Sequence, residues 1–128
     1  MPDSSSDNST ATWETALFTY EGMPLALRVR PAADSAENRV AYPHLVIVAH
    51  ELAQVKSNGL PSDEYNQSLF QFDLDLQDAV AGADEGIVFL IETIAGSRNY
   101  YGCIADPVEV QSRVDRIRTS YPNHVLNV

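Results

Sequence analysis

At 128 residues, 45% of them hydrophobic, the chain has the size of one domain and enough apolar material to bury a core without disulfides or metals. Eighteen acids against eight bases give a formal net charge of −10, which repels phosphate backbones and anionic lipid and so argues against nucleic acid and membrane as partners. No apolar run approaches the ~18 residues of a membrane span, and Met1 to Thr10 has acids and hydroxyls where a secretory signal has a basic end and an apolar stretch.

Residues 1–11 form a Ser/Asp/Asn-rich tail that buries no apolar area, and residues 12–128 a single domain. A hairpin is expected from Trp13–Tyr20 and Leu25–Arg30, with Glu21 to Pro24 at the bend. After a loop from Pro31 to Pro43, Leu45 to Leu52 is apolar on both parities, the pattern of a central strand covered on both faces. Ser62 caps a helix whose stripe Tyr65, Leu69, Phe72, Leu76 and Val80 recurs at helical spacing.

The stretch Gly86 to Asp106 reads as a second hairpin with Gly96-Ser97 as its two-residue turn. That choice sets Ala95 opposite Arg98, Thr93 opposite Tyr100 and Glu92 opposite Tyr101. Asp106-Pro107-Val108-Glu109 is a helix start with a capping Asp, Pro at the first position and Glu where a capping box wants it. This second helix carries Val110, Val114, Ile117 and Tyr121, ends at Pro122, and precedes a strand from His124 to Val128. The order strand, helix, strand, strand, helix, strand gives an α+β fold: a ferredoxin-like βαββαβ core with an added N-terminal β-hairpin and two helices on one face of an antiparallel sheet. The other face is then open to partners.

Candidate chemistry is sparse, and no catalytic, metal or cofactor signature emerges. His44 and His50 share a strand face but lie ~20 Å apart, too far for one coordination sphere. Asp73, Asp75 and Asp78 lack the glycine of a calcium loop and lie in a helical pattern, where they read as a solvated acidic face. Cys103 is the only cysteine, so no intramolecular disulfide forms; in its apolar strand it reads as a small core residue of a reduced compartment, and the expected location is cytoplasmic.

Two features stand out as binding candidates. Phe70 and Leu74 point ~120° to 160° away from the helix stripe, so two large apolar side chains occupy an acidic outer face beside Asp73, Gln77 and Asp78. Covered by the N-terminus or a loop they are ordinary; exposed, they mark an interface. Arg98 follows the hairpin turn on the strand that carries Tyr100 and Tyr101, a set able to grip a carboxylate or stack on a ring, or simply to offset local negative charge.

Trp13, Gly22-Met23-Pro24, Tyr42-Pro43-His44-Leu45, Gly59-Leu60-Pro61 and the spaced set Thr93, Gly96, Arg98 and Tyr101 together resemble the domain-of-unknown-function 695 family. The resemblance covers Trp13 to Val128 and rests on the order and spacing of short motifs. It implies a small bacterial-type α+β domain without a settled activity, similar in fold to the regulator of ribonuclease E activity B proteins, acidic proteins that act by binding an enzyme.

The expected function is therefore a cytoplasmic, non-enzymatic regulatory domain with no cofactor. It would engage an unidentified protein partner through the helix face of Phe70 and Leu74 or through the open sheet. The alternative is a small-molecule or peptide anion site at Arg98, Tyr100 and Tyr101. A homodimer through the open sheet face or a free edge strand is compatible with either.

Overall fold

The computed structural model describes residues 13–31, 36–82 and 84–128; the expected tail, residues 1–11, lies outside them. The hairpin strands are β1 (Glu14–Tyr20) and β2 (Met23–Val29), followed by a short helix α1 (Ala36–Ala41) and strand β3 (His44–Glu51). Helices α2 (Asp63–Ser68) and α3 (Phe70–Ala81) lead to β4 (Gly86–Ile94), β5 (Ser97–Ile104), α4 (Pro107–Ser120) and β6 (Val125–Asn127). The fold is mixed α+β, with all six strands antiparallel in the order β1-β2-β4-β5-β3-β6.

Local chemistry explains most elements. Ser62 caps α2, its hydroxyl accepting from the Tyr65 N–H, and Asp106 caps α4 by accepting from the Val108 N–H, with Pro107 in the first turn. The first hairpin turns on Glu21 and Gly22 alone, both at positive φ, as a two-residue turn requires. Pro24 therefore lies inside β2 rather than at the bend. It sits before the pairing with β4 begins at Ala26, so its missing N–H costs no ladder bond.

Several expectations are corrected. The 31–43 loop contains α1. The helix expected from Ser62 through Val80 breaks at Leu69, because α2 is tied elsewhere: the Ala53 N–H donates to the Tyr65 hydroxyl and Arg98 donates to Asn66. The buried stripe nevertheless continues through Leu69, Phe72, Leu76 and Val80.

The second hairpin turns on Ala95 and Gly96, with φ of 51° and 83°, so Thr93 faces Arg98 and Glu92 faces Asn99. Gly59 enforces this register. Its carbonyl accepts from the Gly96 N–H, and a Cβ on Gly59 would stand 2.8 Å from the Ala95 Cα. A bulge between Val88 and Leu90 then switches parity along β4, so that Val88 and Ile91 are both buried on the helix side.

The core lies between the sheet and α3 with α4. Val48, Phe72, Leu76, Val80, Val88, Ile91, Tyr100, Ile104, Val110, Val114 and Leu126 form one cluster, against which Trp13 and Tyr121 pack. The helices approach closely at Gly102, where an added Cβ would meet Val80 at 2.8 Å. On the opposite face β3 is not covered as expected, for Leu45 is 61% exposed and Ile47 is exposed beside it. Cys103 shares that face and is half-buried rather than a core residue.

Candidate functional site

Helices α3 and α4 lie over the central strands, and β1 and β2 extend the sheet sideways from beneath α3. This leaves a step, a groove of about 880 Å³ whose floor is Ala26, Arg28, Ile91, Thr93 and Arg98. One wall is β1 with Thr15 and Leu17; the other is the α2–α3 junction with Asn66, Leu69, Phe70 and Asp73. Leu17 and Phe70 stand at the rim, 68% and 67% exposed.

The floor is polar and ordered. Asp73, expected on a solvated face, is buried because the break at Leu69 turns the first turn of α3 toward Arg28. Arg28 donates to both carboxylate oxygens, at 2.8 and 3.2 Å, the Tyr100 hydroxyl donates at 2.6 Å and Gln77 donates at 2.8 Å. Burial alone would raise the Asp73 pKa, but the hydrogen bonds and charge of Arg28 outweigh it and hold the carboxyl below its ordinary range. Burial, with the neighbouring Asp73 charge, pushes the Tyr100 hydroxyl well above the usual tyrosine value, so it stays a donor.

Arg98 is only 8% exposed. Its Nε donates to the Thr93 hydroxyl at 3.0 Å and Nη2 to Asn66 at 2.8 Å. These partners are neutral, and no carboxylate pairs with Arg98 among the described residues. Two guanidiniums and one carboxylate thus line the groove, giving a local positive excess in a chain of net charge −10. Such a charge balance favours an anion over a cation in the groove.

The sequence-derived residues divide. Phe70, Arg98 and Tyr100 come together here, with Tyr100 beneath Asp73 rather than forming an open stacking wall. Leu74 lies one turn along α3, lining a shallower hollow with Arg30, Asp75 and Gln77. Tyr101 points to the opposite sheet face, its hydroxyl donating to Glu92 at 3.2 Å. Sequence reasoning missed Arg28, Thr93, Asn66 and Leu17. The alternation sets Arg28 with Arg30 on the wet face of its strand, opposite Leu25, Leu27 and Val29, whereas the structure turns Arg28 toward Asp73 of α3; the others needed the register.

Sequence reasoning also missed a histidine pair under the core. His50, fully buried, lies 3.0 Å from His124, Nε2 to Nδ1. Phe72 stacks on His124 with ring centroids 4.3 Å apart, and Tyr121 meets both rings edge-on. Burial, then the proximity of His124 and Arg98, lowers the His50 pKa to about 4. Among the described residues no group of three or more His, Cys, Asp or Glu is placed to hold a metal, and no helix is long and apolar enough to cross a membrane.

Residues 11–128 match the family described as a family of unknown function, DUF695; the chain belongs to that family. No curated protein and no solved structure matches it.

Proposed function

We propose that this member of the DUF695 family is a non-catalytic binding domain that takes a segment of a protein partner into the groove between its N-terminal hairpin and the α2–α3 junction. The observation that carries the reading is the pairing of two exposed rim side chains, Leu17 and Phe70, with a floor that holds an arginine which, among the described residues, pairs with no carboxylate. An apolar side chain inserted between Leu17 and Phe70 would gain burial at about 25 cal/mol per Å². An acidic group beside it would reach Arg98. The outer face of α3 toward Leu74 extends the contact.

Arg98 favours a second reading in the same place, a free carboxylate or phosphate ligand of small size. The two are separated by what binds: peptides selected from a displayed random library, or small anions alone. On the first reading, selected peptides carry an apolar residue next to an acid and lose about tenfold or more in affinity on Phe70→Asp. Absence of any enriched peptide, or peptides indifferent to both Phe70→Asp and Leu17→Asp, would remove the groove from consideration.

The strand order of the last four strands, β4-β5-β3-β6, with helices between β3 and β4 and between β5 and β6, supports a ferredoxin-like core. A cytoplasmic setting and a regulatory role like that of the regulator of ribonuclease E activity B proteins extend the same proposal. The acidity of the chain supports them.

A further inference from the structure

The outer edge of β1 carries an observation that is independent of what the groove binds. In an antiparallel ladder the N–H and C=O of one residue point to the same side, and successive residues alternate. The Arg30 N–H bonds to Phe89 of β4. Arg28 and Ala26 therefore face β4, whereas Val29, Leu27 and Leu25 face β1, where they pair with Glu14, Ala16 and Phe18. The main-chain groups of Thr15, Leu17 and Thr19 are left pointing away from the sheet, and among the described residues none of them enters a strand pairing on that side.

This edge lacks the usual protections. From Glu14 to Tyr20 there is no proline, lysine, arginine or bulge, and every residue is exposed, whereas the opposite edge, β6, has only 3 residues. A long, flat, nearly uncharged edge is a template for another strand.

We propose that β1 pairs antiparallel with β1 of a second copy about a twofold axis through Leu17. Centred there, Leu17 meets the partner's Leu17 and Thr15 meets the partner's Thr19, so every outward N–H and C=O exchanges a hydrogen bond. Centring on Ala16 or Phe18 would pair only two of the three outward residues, leaving Thr19 or Thr15 opposite a position beyond the strand.

Charge fits the same register. Glu14 is the only charged residue of the strand and falls opposite the partner's Tyr20, so the two Glu14 carboxylates stand ~20 Å apart. For two chains that each carry −10, a contact free of opposed acids is required. Exposed Phe18 packs beside the partner's Ala16, and Leu17 covers its own copy at the twofold, which joins the two grooves along their β1 walls. The contact is at the small end of stable interfaces, so the dimer is weak and reversible.

Sedimentation equilibrium of the full chain from ~1 µM to ~1 mM should show a shift toward twice the 14.1 kDa chain mass. Leu17→Pro removes only an outward N–H and Leu17→Lys adds an edge charge; both should remain folded by circular dichroism and stay monomeric. For register, in a Cys103→Ser background, Leu17→Cys should form an intermolecular disulfide under mild oxidation, because paired Cα atoms lie ~5.5 Å apart. Phe18→Cys faces the partner's Ala16 and should not. A chain that stays monomeric throughout, a dimer unaffected by Leu17→Lys, or equal cross-linking at positions 17 and 18 would overturn the proposal.

Discussion

Lowering the pH from 8 to 4 should strip stability from this protein chiefly through one buried ring. His50 is fully buried, packed 4.5 Å from Phe72 and hydrogen-bonded to His124, and one of the two rings must be a neutral acceptor. Its pKa falls from 6.5 to about 4 on folding. Between those values the unfolded chain binds a proton that the folded chain refuses, so stability is full above pH 6.5 and declines as pH falls toward 4. With 1.36 kcal/mol per pKa unit, the loss is about 2 kcal/mol at pH 5 and about 3 kcal/mol at pH 4. His124, its pKa also lowered by burial, acts in the same direction, while Asp73 destabilises only once pH drops below its ordinary 3.8. Urea unfolding at half-unit pH steps, for wild type and for His50→Leu, measures this directly. The slope between pH 6.5 and 4 should be much reduced in the variant, whose residual slope belongs to His124. A flat wild-type profile, or identical slopes in the two proteins, would mean that His50 does not carry the acid sensitivity.

Three further outcomes are expected. Asp73→Ala leaves Arg28 and the buried Tyr100 hydroxyl without their shared acceptor and should cost about 2–4 kcal/mol in chemical denaturation. Asp73→Asn, which can still accept, should cost less. Gly102→Ala pushes a methyl to 2.8 Å from Val80 Cγ1, displaces α3 from the sheet, and should destabilise by about 1–3 kcal/mol in the same assay. Asp106→Ala removes the side-chain acceptor of the Val108 N–H and should cost about 1 kcal/mol, with amide exchange in the first turn of α4 accelerated.

Elements with strong local signals were legible from the chain alone. Asp106-Pro107 announces α4, and the stripe through Phe72, Leu76 and Val80 identifies the helix that covers the sheet. What escaped were features decided by distant partners. The turn at Ala95-Gly96 is chosen by the loop at Gly59, which lies 37 residues upstream, and moving the turn by one residue shifts every cross-strand partner by two, so that Arg98 replaces Tyr100 opposite Thr93. The bulge near Phe89 hides in a continuous apolar run whose parity says nothing. Asp73 looked like one acid among several because the cation that buries it, Arg28, lies 45 positions away. At the site, Phe70 and Arg98 were visible separately as an apolar side chain and a cation out of place. Only the sheet register shows that they line one groove and that Tyr101 and Leu74 do not.

The most direct test of the groove is residue-level mapping of a bound peptide. Amide chemical shifts of the labelled protein, followed during titration with a library-selected peptide, should move at Thr15, Leu17, Ala26, Asn66, Phe70, Thr93 and Arg98, the groove's own lining. Shifts confined instead to Leu45, Ile47 and Tyr101 on the opposite sheet face would contradict the account.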